Sequence, residues 1–226
     1  LERTITWFVE EFYDQEVGLI VKTSLAKNCL RDRTFAHQRL QELLKEHTGR
    51  KCEVYLLHGD MSESEMTGLY QHPQVKAMIN LSHGEGFGLP LFEAAYNGLP
   101  VIAPNWSGQV DFLHMPVKDK KGKVKNKAMF SEIAFDIKPI QPEAHWEGVI
   151  QKDSMWCFPK EWNYKKTLRQ VYKNIGAANA DAKKLQKWVQ ETFEESVQYQ
   201  KLCNSVYEPT KEEEEWNSLL NEVQMI

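Results

Sequence analysis

The chain opens with apolar residues at helical spacing. Ile5, Phe8, Val9 and Phe12 recur every three or four positions in LERTITWFVEEFYDQ, which predicts an amphipathic helix with no cap or turn ahead of it. VGLIVKTS (17–24) is an apolar run of strand length. RDRTFAHQRLQELLKEHTG (31–49) returns to the helical period, with Phe35, Leu40, Leu43 and Leu44 inward and Gly49 as the stop. CEVYLLHG (52–59) is the next strand, and Ser62 with Glu65 has the spacing of a capping box that opens a short helix over Met66, Leu69 and Tyr70. His72-Pro73 ends that helix, because a residue before proline is pushed out of the helical region. VKAMINLS (75–82) reads as a third strand, and LPVIAP (99–104) as a fourth. Between them a helix runs from about Pro90, which tolerates the first helical position, to Gly98, a natural left-handed terminator.

Four strands alternating with three helices predict an α/β fold, a Rossmann-like parallel sheet with flanking helices, since parallel strands need crossovers of this length. Past residue 113 the rhythm changes. KDKKGKVKNK (118–127) places six lysines around Gly122, the pattern of a solvated hairpin turn, and AMFSEIAFDIKPI (128–140) can supply its returning strand. EWNYKKTLRQVYKNI and AKKLQKWVQETFEESVQYQKLC predict two helices, with Leu168, Val171, Ile175 and Leu185, Val189, Phe193, Val197 at helical spacing. KEEEEWNSLLNEVQMI ends the chain as a surface helix or frayed tail. The expected organisation is a Rossmann-like domain over 1–160 with a hairpin insertion at about 114–140, and C-terminal helices over 161–226.

Composition narrows the class. With 226 residues, 42% hydrophobic and 11% aromatic, the chain can bury a full core. A net charge of −4 argues against a general nucleic-acid partner. Cys29, Cys52, Cys157 and Cys203 form no C-x-x-C pair, which suggests neither a zinc knuckle nor a disulfide framework and fits a reducing, cytoplasmic setting. No apolar run approaches the roughly 18 residues of a transmembrane helix. The seven histidines show no H-x-x-x-H or His/Cys cluster, so no metal site is expected.

The chemistry concentrates in SHGEGFGLPLFEAA (82–95). In an open parallel sheet, ligands bind beyond the carboxyl ends of the strands, where this loop must lie. Gly84, Gly86 and Gly88 let a ligand approach main-chain N–H groups. The helix beginning near Leu89 aims its unpaired N–H groups and positive dipole end at the same point, which suits a diphosphate. Glu85 in the loop and Glu93, read as first-turn, are eight positions apart, which allows both carboxylates to face one cavity. Carboxylates accept hydrogen bonds from vicinal hydroxyls. Phosphate donors plus hydroxyl acceptors describe a nucleotide sugar.

Glu85-Gly86-Phe87-Gly88-Leu89-Pro90-Leu91-Phe92-Glu93-Ala94, followed by Gly98-Leu99-Pro100-Val101-Ile102, closely resembles the E-x7-E motif and following strand of retaining glycosyltransferases of the GT-B fold, especially the family-4 type. The likeness extends through Trp106-Ser107-Gly108-Gln109-Val110-Asp111-Phe112-Leu113, and weakly to Trp156-Cys157-Phe158-Pro159. It implies a two-domain enzyme whose C-terminal domain holds the donor and whose N-terminal domain holds most of an unknown acceptor. By this resemblance Glu85 contacts donor-sugar hydroxyls as the catalytic-site carboxylate. Phe87, Gly88 and Leu89 offer backbone N–H groups, and Glu93 holds the ribose. No cofactor is implied beyond the nucleotide diphosphate sugar as substrate. By the resemblance, the family's usual basic pair on a first strand is expected ahead of this sequence. The expectation is therefore a C-terminal half without that strand or its N-terminal partner domain, inactive alone, with an open sheet edge suited to strand pairing with another chain.

Each residue has a plainer alternative. The loop also reads as a tight strand-to-helix turn with Glu93 as a helix-dipole carboxylate, with the functional reading favoured. His83 is either a ligand contact or an exposed loop histidine; Lys22 faces phosphate or snorkels at a strand end. Ser107 and Gly108 line the cleft or form an ordinary turn. The lysines around Gly122 meet anionic acceptors or lipid, or only water. Trp146, Trp156 and Trp162 are packing residues or sugar platforms, with packing favoured. A dinucleotide-dependent oxidoreductase is disfavoured because G-E-G-F-G is not G-x-G-x-x-G. A noncatalytic nucleotide-sugar-binding module stays open.

Overall fold

Ile5, Phe8, Val9 and Phe12 are buried on α1 (Glu2–Phe12), as their spacing dictates. The computed structural model describes residues 1–24 and 28–207, together with residues 213, 215–216 and 218–220. The chain divides into two compact units, Leu1–Gln186 and Lys187–Ile226. In the first unit, β1 (Gly18–Thr23), α2 (Leu30–Leu44), β2 (Glu53–His58), α3 (Glu63–Tyr70), β3 (Met78–Ile79), α4 (Leu89–Tyr96) and β4 (Val101–Pro104) alternate. The fold is mixed α/β, with parallel strands flanked by helices, as the alternation requires.

The parallel strands form two sheets. β1 pairs with β2 from Gly18↔Glu53 to Thr23↔His58. β4 lies between β3 and β7 (Ser131–Ile133), both parallel to it, and all four of its residues are buried. Among the described residues β1 pairs only with β2, and β3 only with β4. Glu53 N–H donates to the Val17 carbonyl, so the odd residues of β1 face β2 and the backbone groups of Gly18, Ile20 and Lys22 face the other way. Likewise Met78 and Asn80 N–H groups donate to Pro100 and Ile102, which turns the Ile79 groups away from β4. One core nonetheless joins both sheets: Val21, Leu81, Ile102 and Ile133 pack with α1 and with Tyr164, Leu168 and Val171 of α6 (Glu161–Lys173).

Several expected elements differ. Phe35 is 60% exposed, and the adjacent Ala36 faces in. The strand read over 75–82 is only two residues long. The segment 128–140 is not one returning strand. After α5 (Val110–Leu113), the hairpin is β5 (His114–Lys118) with β6 (Val124–Ala128), β7 joins β4, and β8 (Phe135–Pro139) pairs antiparallel with β9 (Met155–Pro159). The helix read over 182–203 is two, α7 (Ile175–Thr192) and α8 (Glu195–Val206), interrupted at Phe193–Glu194. Trp146 and Trp162 are 65% and 61% exposed rather than packed. Of the last segment, read as a helix or tail, the described residues are helical and the rest lies outside the described residues. No described helix is long and apolar enough to cross a membrane.

Candidate functional site

β3 stops where Asn80 turns its side chain on its own backbone. Its Oδ1 accepts from the Ser82 N–H at 2.6 Å, and its Nδ2 donates to Glu85 Oε1 at 2.8 Å. This is the side-chain competition with a ladder that asparagine performs well. One amide thereby ends the strand and orients the loop carboxylate.

The loop is then fastened to the segment after β4. Ser107 Oγ accepts from the Glu85 N–H at 3.1 Å and donates to the Glu85 carbonyl at 2.7 Å, which also accepts from the Gly108 N–H at 3.1 Å. Ser107 holds a positive φ of 70° to make this double contact. A Cβ on Gly108 would lie 2.0 Å from the Gly86 carbonyl oxygen, so only glycine fits. Ser107 and Gly108 therefore clamp the loop.

Gly88 caps α4 with φ 89°, and Pro90 follows at the second helical position. The N–H groups of Gly86, Gly88 and Leu89 have no protein acceptor among the described residues. Those of Gly88 and Leu89 lie at the N-terminal end of α4, where the helix dipole is positive. Gly84 sits 3.3 Å from Ser107 Oγ measured from its ideal Cβ, and Gly86 opens to free space. Phe87 packs its ring on Phe92 and Phe112, centroids 5.3 and 5.0 Å away, and stays 40% exposed.

Glu93 stands in the second turn of α4, not the first, because the helix starts at Leu89. Its Oε2 accepts from the Tyr70 hydroxyl at 2.9 Å. Burial, and then this carboxylate, push the Tyr70 phenol far above its ordinary value, so it stays a donor. Glu85 and Glu93 each commit one oxygen to a neighbour. The other oxygen of each has no protein donor among the described residues.

The remaining expected residues fare differently. His83 is not an exposed loop histidine. Its Nδ1 donates to the Cys157 carbonyl at 2.6 Å, and its ring stacks on Trp156 at 4.8 Å and meets the edge of Phe158 at 4.7 Å. Lys22 donates to the Gly59 carbonyl, beside the His58 and Asp32 pair at 3.3 Å.

Three residues escaped the sequence reading. Asn80 and Tyr70 are the anchors just described. Arg3 donates to the Leu81 carbonyl at 2.9 Å, immediately before the loop, with its guanidinium 5.6 Å from the Trp7 ring centroid. Half-burial lowers its pKa, while the nearby Cys157 opposes that shift. A cation in the first turn of a helix works against the dipole, and that was the one signal available for it. Among the described residues no group of His, Cys, Asp and Glu has the arrangement to hold a metal ion.

The family described as Family 4 Glycosyltransferase in conflict systems matches residues 30–202. No curated protein matches the chain. Among solved structures, the crystal structure of the GtfA/B complex is similar at a TM-score of 0.30 and 15% identity, covering 79% of this chain. The chain spans 37% of the length of that neighbour.

Proposed function

We propose, from the premise that the chain belongs to the family 4 glycosyltransferases in conflict systems, that residues 82–93 are the donor site for a nucleotide diphosphate sugar. The observation that carries this reading is that, among the described residues, the N–H groups of Gly86, Gly88 and Leu89 have no acceptor and the Glu85 and Glu93 carboxylates each keep one oxygen without a donor. Preorganised backbone dipoles of this kind stabilise charge that develops on a departing diphosphate. Arg3, whose guanidinium donates to the Leu81 carbonyl immediately before the loop, adds positive charge at the base of the site. Glu85, fixed by Asn80, takes sugar hydroxyls, and Glu93, fixed by Tyr70, takes the ribose. Retention of anomeric configuration and transfer by the whole protein belong to the same proposal.

A second reading, a binding module without transfer, draws on the engagement of both His83 and Lys22 within the fold. Calorimetric titration with UDP- and GDP-sugars, and with NAD as comparator, tests both readings. Saturable binding of a nucleotide sugar is expected, weakened about tenfold or more by Glu93→Ala. Saturation by NAD alone contradicts the proposal. Release of free sugar or transfer to added glycans separates the enzyme from the module.

A further inference from the structure

Beside the glycine loop lies an open surface hollow of about 790 Å³ whose walls include Asn105, Trp106, Ser107, Asp111, His114 and Asn126. It adjoins the candidate donor site through Ser107, whose hydroxyl holds the Glu85 carbonyl. The lining combines an indole with two carboxamides, a carboxylate and an imidazole. His114 Nδ1 donates to the Val110 carbonyl at 3.1 Å, which leaves Nε2 as its second polar atom. Such a wall suits a sugar ring, which offers C–H groups from its faces and hydroxyls around its rim.

Two of the wall residues stand on the β5–β6 hairpin. In its register, His114↔Ala128, Pro116↔Asn126 and Lys118↔Val124 share a face, so Lys118 lies on the side of the hollow. Asp119 Oδ1 accepts from the Lys121 and Lys123 N–H groups at 2.9 and 3.0 Å, which fixes the turn and engages the hairpin's carboxylate. Lys127 pairs with Asp181 at 3.5 Å. The side-chain ammonium groups of Lys118, Lys120, Lys121, Lys123 and Lys125 have no ion-pair or hydrogen-bond partner among the described residues. A cluster of unneutralised cations on a rigid turn, in a chain of negative net charge, calls for an anionic partner. Residues 119–123 carry no apolar side chain to enter a bilayer.

We propose that this hollow and hairpin bind part of the acceptor, and that the acceptor is an acidic oligosaccharide. One ring seats beside Trp106, within reach of the donor loop, and the acidic groups of neighbouring rings lie along the lysines. This rests on the donor-site reading above.

The full chain is titrated with oligogalacturonate and heparin oligosaccharides of defined length. A neutral maltooligosaccharide, a single-stranded oligonucleotide and phosphatidylglycerol vesicles are the comparators. Binding of at least one acidic oligosaccharide, weakening with salt, is expected. The triple change Lys120→Glu, Lys121→Glu and Lys123→Glu raises Kd about tenfold or more, as does Trp106→Ala, while Trp106→Phe keeps most of the affinity. The triple lysine variant still binds nucleotide sugar as the parent does, because the lysines lie outside the donor loop. No binding of either acidic polymer, equal affinity for the neutral sugar, tighter binding of the oligonucleotide or vesicles, or indifference to these variants overturns the proposal. Acidic oligosaccharide bound by a protein that takes no nucleotide sugar contradicts the acceptor role, and that result is distinguishable from loss of the carbohydrate site itself.

Discussion

Gly108 carries the tightest steric constraint at the site. A methyl group there would overlap the Gly86 carbonyl, so Gly108→Ala must separate the two loops. We expect a loss of about 1–3 kcal/mol in a denaturant titration, the usual cost of overpacking, together with loss of nucleotide-sugar binding. Asn80→Ala tests orientation instead of packing. It frees the Glu85 carboxylate and leaves the Ser82 N–H without its acceptor, so affinity should fall about tenfold with about 1 kcal/mol of stability lost, and Asn80→Asp, which cannot donate to Glu85 and adds a like charge, should bind worse still. Cys157 gives a pH-dependent signal. Burial raises its thiol from 9.0 to about 11, which keeps the sulfur protonated and unreactive. Iodoacetamide at pH 8 should label the exposed Cys29 and Cys203 and spare Cys157. Because the unfolded thiol ionises first, its stabilising contribution is complete below pH 9 and is lost as pH climbs through about 11. A labelled Cys157 in the folded protein would refute that assignment.

At the scale of elements, the open edges of β1 and β3 make a prediction of their own. Ile20 is 42% exposed, and its N–H, like that of Ile79, faces away from the paired strand. Amide exchange should therefore be faster at Ile20 and Ile79 than at Val21 and Ile102, by orders of magnitude if local opening governs protection. Uniform protection across β1 would mean that its outer edge is paired in solution. The elements also mark what sequence could and could not reveal. α1 was legible because four large apolar residues share one face. α3 was legible because Ser62 and Glu65 satisfy each other's backbone, and both bonds are present. The span 128–140 was not, because three short strands in three pairings carry no common period. Helix α2 misled through Phe35, since its neighbour Ala36, small enough for close packing, takes the inward place.

For the molecule as a whole, the α/β class followed from the alternation of runs, and family membership rests on a match that covers residues 30–202. The loop motif was visible because glycines and carboxylates at fixed spacing are local. Its supports were not, because Asn80, Tyr70 and Arg3 act through contacts that the chain order hides. Arg3 and Leu81 are 78 positions apart, and Tyr70 and Glu93 are 23. The central claim is that free N–H groups at the start of α4 receive a diphosphate. The most direct test is nitrogen-detected NMR of the labelled chain during titration with UDP and a UDP- or GDP-sugar. The account predicts saturable shifts at Gly86, Gly88 and Leu89, reduced in Arg3→Ala. Saturation with those three amides unmoved would contradict it.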